Sequence, residues 1–213
     1  MNIKTSLKKY LLVNAIGFGL GGLLWGWILY SESPGPGSPF HFMAIIVMGL
    51  FGGISLIWFN KSIKNVSKSV LAGFLGWGVG FVGSGIFIYP LSLISGYLSI
   101  FLIPSFIADN NLTILTPNIY ISGYWLIFLL TGSIIGLFYS LFLKTKIWPL
   151  VWRSGLGLGL ASLISPVVGN LIGNYFDSLL LSYLITFSLM GMIFGKFLSW
   201  GIYYGGRKNK KIS

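Results

Sequence analysis

The sequence predicts an all-α membrane protein, six transmembrane helices arranged as three tandem helical hairpins within a single polytopic domain over residues 1–213. Apolar residues make up 55% of the chain and charged residues only 8%, against about 25% charged in a typical soluble domain. The apolar residues gather into runs of about 20, the length a helix needs to cross hydrocarbon that cannot hydrogen-bond to its backbone. Apart from Lys196, the lysines and arginines fall in every second connection between those runs.

The first span, near Tyr10–Tyr30, follows Lys4, Lys8 and Lys9. Its apolar run exceeds the roughly 7 to 15 residues of a secretory signal core, and Ser31-Glu32-Ser33-Pro34 is a poor cleavage site, so it reads as a retained helix. The following turn, with Pro34, Gly35, Pro36 and Gly37, cannot continue a helix. A second span near Phe40–Phe59 leads to Lys61, Lys64 and Lys68, and a third covers Val70–Tyr89. The next connection holds an apolar stretch, residues 91–107, bracketed by Pro90 and Pro104. A crossing there would put Lys144, Lys146 and Arg153 opposite the other cations. The stretch is therefore expected to be an extracytoplasmic interfacial or re-entrant segment, or a kinked extension of the third span.

A fourth span near Ile119–Leu143, a fifth near Gly155–Asn174 and a sixth near Ser178–Tyr204 precede the tail cations Arg207, Lys208, Lys210 and Lys211. Glu32, Asp109, Asp177 and the lone His41 occupy the other set of connections. Short cytoplasmic loops retain lysine and arginine, which places both termini in the cytoplasm of a multi-pass cell-membrane protein. Trp25, Trp27, Tyr30, Tyr120, Tyr124 and Trp125 read as an outer aromatic belt, with Trp58, Trp148, Trp152, Trp200 and Tyr203 as the inner one.

The net charge of +11 does not point to nucleic acid, because the same topology rule accounts for where the cations stand. The expected partners are the lipid bilayer itself and either a second copy of the chain or a partner membrane subunit.

Glycines supply an internal repeat. The odd-numbered spans share one phrase, at Gly17, Gly19 and Gly21, at Gly76, Gly78 and Gly80, and at Gly155, Gly157 and Gly159. The even-numbered spans share a small-xxx-small phrase, at Gly49 and Gly53, Gly132 and Gly136, and Gly191 and Gly195. The separation between phrases is similar in the first and third hairpins and longer by about twenty residues in the second, where the 91–107 stretch lies. In lipid, helices associate through close van der Waals approach, which small residues permit, so these glycines are expected to be packing positions.

Chemical motifs are few. Gly17-x-Gly19-x-x-Gly22 and Gly78-x-Gly80-x-x-Gly83 match a dinucleotide-binding fingerprint only as strings, lacking the preceding strand and the downstream acid. No cofactor is expected. Ser84 and His41 lack the remaining parts of a nucleophile and base arrangement, and one histidine with three scattered acids makes no metal set. With cysteine absent there is no thiolate chemistry either, and no enzyme is expected.

Polar groups inside the spans are the remaining candidates. Ser162, Pro166, Asn170 and Asn174 recur every four residues on one helical face, and Pro166 frees a backbone carbonyl in mid-membrane. With Asn14 and Ser84 they are the candidate cavity lining, unless they serve helix-to-helix hydrogen bonds. Lys196, placed well inside the sixth span, either snorkels to the cytoplasmic interface or faces an aqueous cavity or an anionic ligand. Two functions follow: permeation or binding of a small solute along that polar face, or a non-transporting assembly or interaction subunit of a larger membrane complex.

Overall fold

The computed structural model describes residues 3–31, 39–59, 66–87 and 125–206. The stretch 91–107, the turn around Pro34–Gly37, the first residues of the expected fourth span, the charges Glu32, Lys61, Lys64 and Asp109, the side chain of His41 and the tail cations lie outside the described residues. Among those described, the chain is all-helical. Six helices follow one another: α1 (Ile3–Ser31), α2 (Pro39–Phe59), α3 (Val66–Gly85), α4 (Trp125–Leu143), α5 (Ile147–Tyr175) and α6 (Leu179–Gly206). Four carry segments long and apolar enough to cross a bilayer, Leu7–Ser31, Trp125–Leu143, Ile147–Tyr175 and Leu179–Gly205, and α2 holds the shorter apolar stretch Ile46–Leu56. This is the character of a polytopic membrane protein.

Several boundaries depart from the sequence expectation: α1 starts at Ile3 rather than near Tyr10, and α3 at Val66 rather than Val70. Helix α5 starts at Ile147 rather than near Gly155, taking Trp148, Trp152 and Arg153 out of a loop and into two extra turns. Pro149 does not prevent this, because in the first turn of a helix a proline removes no intrahelical hydrogen bond. Helix α3 ends at Gly85, where the Phe87 amide donates to the Ser84 carbonyl at 3.0 Å, short of the expected Tyr89.

Each helix packs antiparallel to its chain neighbours, and α6 closes on α1, so the six form a ring. The start of α1 and the end of α6 therefore share one end of the bundle. Lys8, Lys9, Lys68, Lys144, Lys146 and Arg153 all fall at that end, and Asp177 stands at the opposite one.

The small-xxx-small glycines sit on the α2–α3, α4–α5 and α6–α1 seams. Gly49 meets the Gly73 carbonyl of α3 and Gly53 that of Ser69, Gly132 and Gly136 meet the Ser154 and Leu150 carbonyls of α5, and Gly191 and Gly195 meet the Phe18 and Asn14 carbonyls of α1. At Gly49 an added Cβ would stand 2.8 Å from the Gly73 oxygen, so only a residue without a side chain lets α2 and α3 approach this closely.

The odd-helix phrase is less uniform. Gly17 faces Ser55 of α2, Gly19 faces Met192 of α6, and Gly21 faces Met48 of α2. Gly76 and Gly80 face α4, while Gly78 has open space beside it. In α5 it is Gly157 that meets Phe197 of the following helix, and Gly155 and Gly159 turn back to Ser133 and Leu129 of α4. Gly155 thus faces the preceding helix where Gly17 faces the following one, so the expected pairing of Gly155 with Gly17 does not put the two on equivalent faces; two residues turn a helix by about half a revolution.

The centre of the ring is filled by aromatic side chains. Trp25 of α1 meets Trp77 of α3 edge to face at 6.2 Å and Phe187 of α6 at 4.6 Å, Trp77 stacks on Phe81 at 5.8 Å, and Phe194 stands against Trp77 at 5.2 Å. Phe18 and Met48 are buried with them. Trp25 is 4% exposed and belongs to this core, whereas Trp27, at 54%, and Tyr30 remain on the outside. The belt expected for all three holds only the last two, because two residues along a helix separate Trp25 from Trp27 by about 200°. The outward faces are apolar, with Leu12, Ile16, Leu20 and Leu23 on α1 and Leu156, Leu160, Ile164 and Leu171 on α5.

Candidate functional site at the seam between α5 and α6

Helix α5 turns Ser162, Ser165, Pro166, Gly169, Asn170 and Gly173 inward as one buried face. The spacing of three and four residues makes this a single stripe. Part of it is closed against α6. Gly169 abuts Thr186 and Gly173 abuts Ser182, so the two backbones lie close along this half of the seam. Ser162 is wholly buried and its hydroxyl donates to the Gly159 carbonyl at 2.8 Å, within its own helix. The hydroxyls of Ser165 and Thr186 are buried without a hydrogen-bond partner among the described residues. Across the seam, the Ser182 hydroxyl donates to Asn170 Oδ1 at 2.8 Å.

Toward the turn the seam opens into a recess of about 130 Å³ lined by Asn170, Gly173, Asn174, Asp177, Ser178, Leu179 and Ser182. The turn is built as a helix stop. Asp177 has a positive φ of 49°, the Asp177 amide donates to the Asn174 carbonyl at 3.2 Å, and the Ser178 amide donates to the Gly173 carbonyl at 2.8 Å. This is the paired pattern of a Schellman motif, with aspartate in the left-handed position that glycine usually fills. Ser178 then caps α6, its hydroxyl oxygen accepting from the Leu181 amide at 3.2 Å. The recess offers a carboxylate, two carboxamides and two hydroxyls to a small polar molecule or to water.

The other candidates stand elsewhere. Ser84 is buried between α3 and α4, where Thr131 Oγ1 donates to Ser84 Oγ at 2.7 Å and Ser84 Oγ donates to the Phe81 carbonyl at 3.2 Å. Asn14 is buried on α1, its amide nitrogen donating to the Tyr10 carbonyl at 2.9 Å and its Oδ1 unpartnered among the described residues. Lys196 is exposed on α6, toward the termini end and far along the helix from the recess.

The structure therefore brings Asn170 and Asn174 together at the recess, packs Ser162 and Pro166 inside the bundle, and places Asn14, Ser84 and Lys196 apart from them. Sequence reading passed over Ser182 and Thr186, which face this polar stripe from α6, and Thr131, the partner of Ser84, although hydroxyl residues inside apolar spans are their visible signal. Compared with protein-family models, with curated proteins and with solved structures, the chain matches none.

Proposed function

We propose that this protein is a non-transporting assembly subunit of a membrane complex, built as three hairpins around a closed axis, with both termini in the cytoplasm. One observation carries that reading: Trp25, Trp77, Phe81, Phe187 and Phe194 interlock where a conduit through the ring would have to run. Buried rings packed this closely make an apolar filling unsuited to a column of water, in which the polar atoms are the indole nitrogens of Trp25 and Trp77. The three glycine seams, α2 on α3, α4 on α5 and α6 on α1, support an internal repeat, since each even helix offers its glycines to the next odd one. The gathering of lysines at the termini end supports a cytoplasmic placement of that end.

The test is the composition of the particle in its native lipid. Extracted from the membrane into polymer-bounded discs, the protein should travel with a second copy or with a partner membrane subunit. Discs holding one copy of this chain and no other protein would overturn the reading.

Binding of a small solute is a second reading, favoured by the recess at Asn170, Asn174 and Asp177. It is a blind pocket at one end of a closed seam, which suits capture better than passage. A solute that protects Asn174→Cys from thiol reagents would establish it.

A further inference from the structure

We propose that the outer face of α5 and α6, at the termini end, is a docking site for the headgroup of an anionic phospholipid, built by Arg153 and Lys196 around Trp200. Lys196, Trp200 and Tyr204 follow one another at intervals of four residues and are all exposed, so they form one outward stripe on α6. Arg153 of α5 lies beside that stripe. Its guanidinium carbon is 4.6 Å from the Trp200 ring centre, 4.8 Å from that of Tyr204 and 5.1 Å from that of Trp152. Three rings fix the guanidinium plane without neutralising it.

Among the described residues these cations have no carboxylate beside them. Arg153 spends one donor on the Trp200 carbonyl at a long 3.4 Å, and its Nε has no partner among the described residues. Arginine carries five donors in a planar fork, a shape suited to phosphate oxygens. The chain has only three acids, and the described one, Asp177, is at the far end of α5. Among the described residues no anion stands beside this pair, and a lipid phosphate would supply one.

Lys196 identifies the source. It lies one helical turn deeper than Trp200, on an outward surface otherwise formed by residues such as Leu156 and Leu160. An ammonium there cannot stay in hydrocarbon, so its stem must carry it toward the headgroup level that Trp152, Trp200 and Tyr204 mark. A phosphate in solution would meet the exposed Lys8, Lys9, Lys144 and Lys146 first. A phospholipid presents its phosphate at the level of Arg153 and lays its acyl chains along Leu156, Leu160 and Ile164.

The experiment uses the full chain in detergent, titrated with phosphatidylglycerol, with phosphatidylcholine and with inorganic phosphate, reading bound lipid by native mass spectrometry and the melting temperature in parallel. Wild type should retain phosphatidylglycerol in preference to phosphatidylcholine and gain no stability from inorganic phosphate. K196Q, a change at an exposed site, should weaken phosphatidylglycerol binding about fivefold, since a basic residue near an anionic surface contributes on that scale. K146Q should change it far less, and R153Q should add to the loss if its melting temperature shows that it folds. Equal retention of the two lipids, an unchanged K196Q, an equal loss in K146Q, or stabilisation by inorganic phosphate matching that by lipid would each overturn the assignment.

Discussion

Trp25 and Trp77, contributed by α1 and α3, meet edge to face with ring centres 6.2 Å apart at the middle of the six-helix ring. Neither is more than 4% exposed. In lipid no water is released when helices associate, so the close packing of such rings is itself a main source of cohesion. Replacing Trp77 with alanine should cost about 3 to 5 kcal/mol, the range for emptying an aromatic site that cannot collapse. Trp77→Phe should lose much less, because Phe81 and Phe194 still find a ring to pack on. Melting in detergent, followed by near-ultraviolet circular dichroism, checks both.

Glycine at position 22 is irreplaceable in a way that glycine at position 78 is not. A Cβ at Gly22 would fall on the Phe187 carbonyl of α6, whereas Gly78 has nothing within 4 Å. Gly22→Ala should therefore destabilise the fold by about 1 to 3 kcal/mol, the usual cost of overpacking. Gly78→Ala should be neutral or stabilising by up to about 1 kcal/mol, from the gain in helix propensity. The pair is compared by thermal unfolding under one detergent condition.

The hydroxyl and carboxamide pair across α5 and α6 has a modest expected worth. Interhelical hydrogen bonds in membranes average about 0.6 kcal/mol, so Ser182→Ala should lower stability by about that amount. A double-mutant cycle with Asn170→Ala should recover a coupling of similar size. A coupling indistinguishable from zero would show that the 2.8 Å contact contributes nothing to the seam.

Aspartate at position 177 occupies a left-handed backbone position, φ 49°. L side chains pay about 1 to 2 kcal/mol there and glycine does not. Asp177→Gly should raise the melting temperature, while Asp177→Val, β-branched and unable to bond locally, should lower it. If the recess captures a solute through the carboxylate, Asp177→Gly should lose that binding while gaining stability.

Much of this architecture is legible in the chain. Long apolar runs give the helices, and the four-residue spacing of Ser162, Pro166 and Asn170 gives the buried face of α5. What sequence reading misses is rotation about each helix axis. Trp25 stands near a helix end, where an aromatic residue can face headgroups or the bundle centre, and only the position of α3 and α6 decides between them. Its spacing of seven from Phe18, matched by Phe187 and Phe194 on α6, is the signal that points to the centre. The start of α5 is hidden for a different reason: a cation between two apolar runs reads as a loop, yet Arg153 sits on a helix because three aromatic rings shelter its charge. Asn170 and Asn174 share a face in the sequence, but whether that face is wet depends on Ser182 and Thr186 of another helix.

The central claim is that the ring and the buried face of α5 are closed to water. Because the chain has no cysteine of its own, single substitutions report without background. Ser162→Cys, Ser165→Cys and Asn174→Cys, each in intact membrane vesicles, should be treated with a membrane-impermeant maleimide and then fully labelled after denaturation. Labelling of Asn174→Cys alone, from the side on which the α5 to α6 turn lies, is the result expected. Reaction of Ser162→Cys at a rate like that of Asn174→Cys would reveal an aqueous path through the bundle and contradict the account.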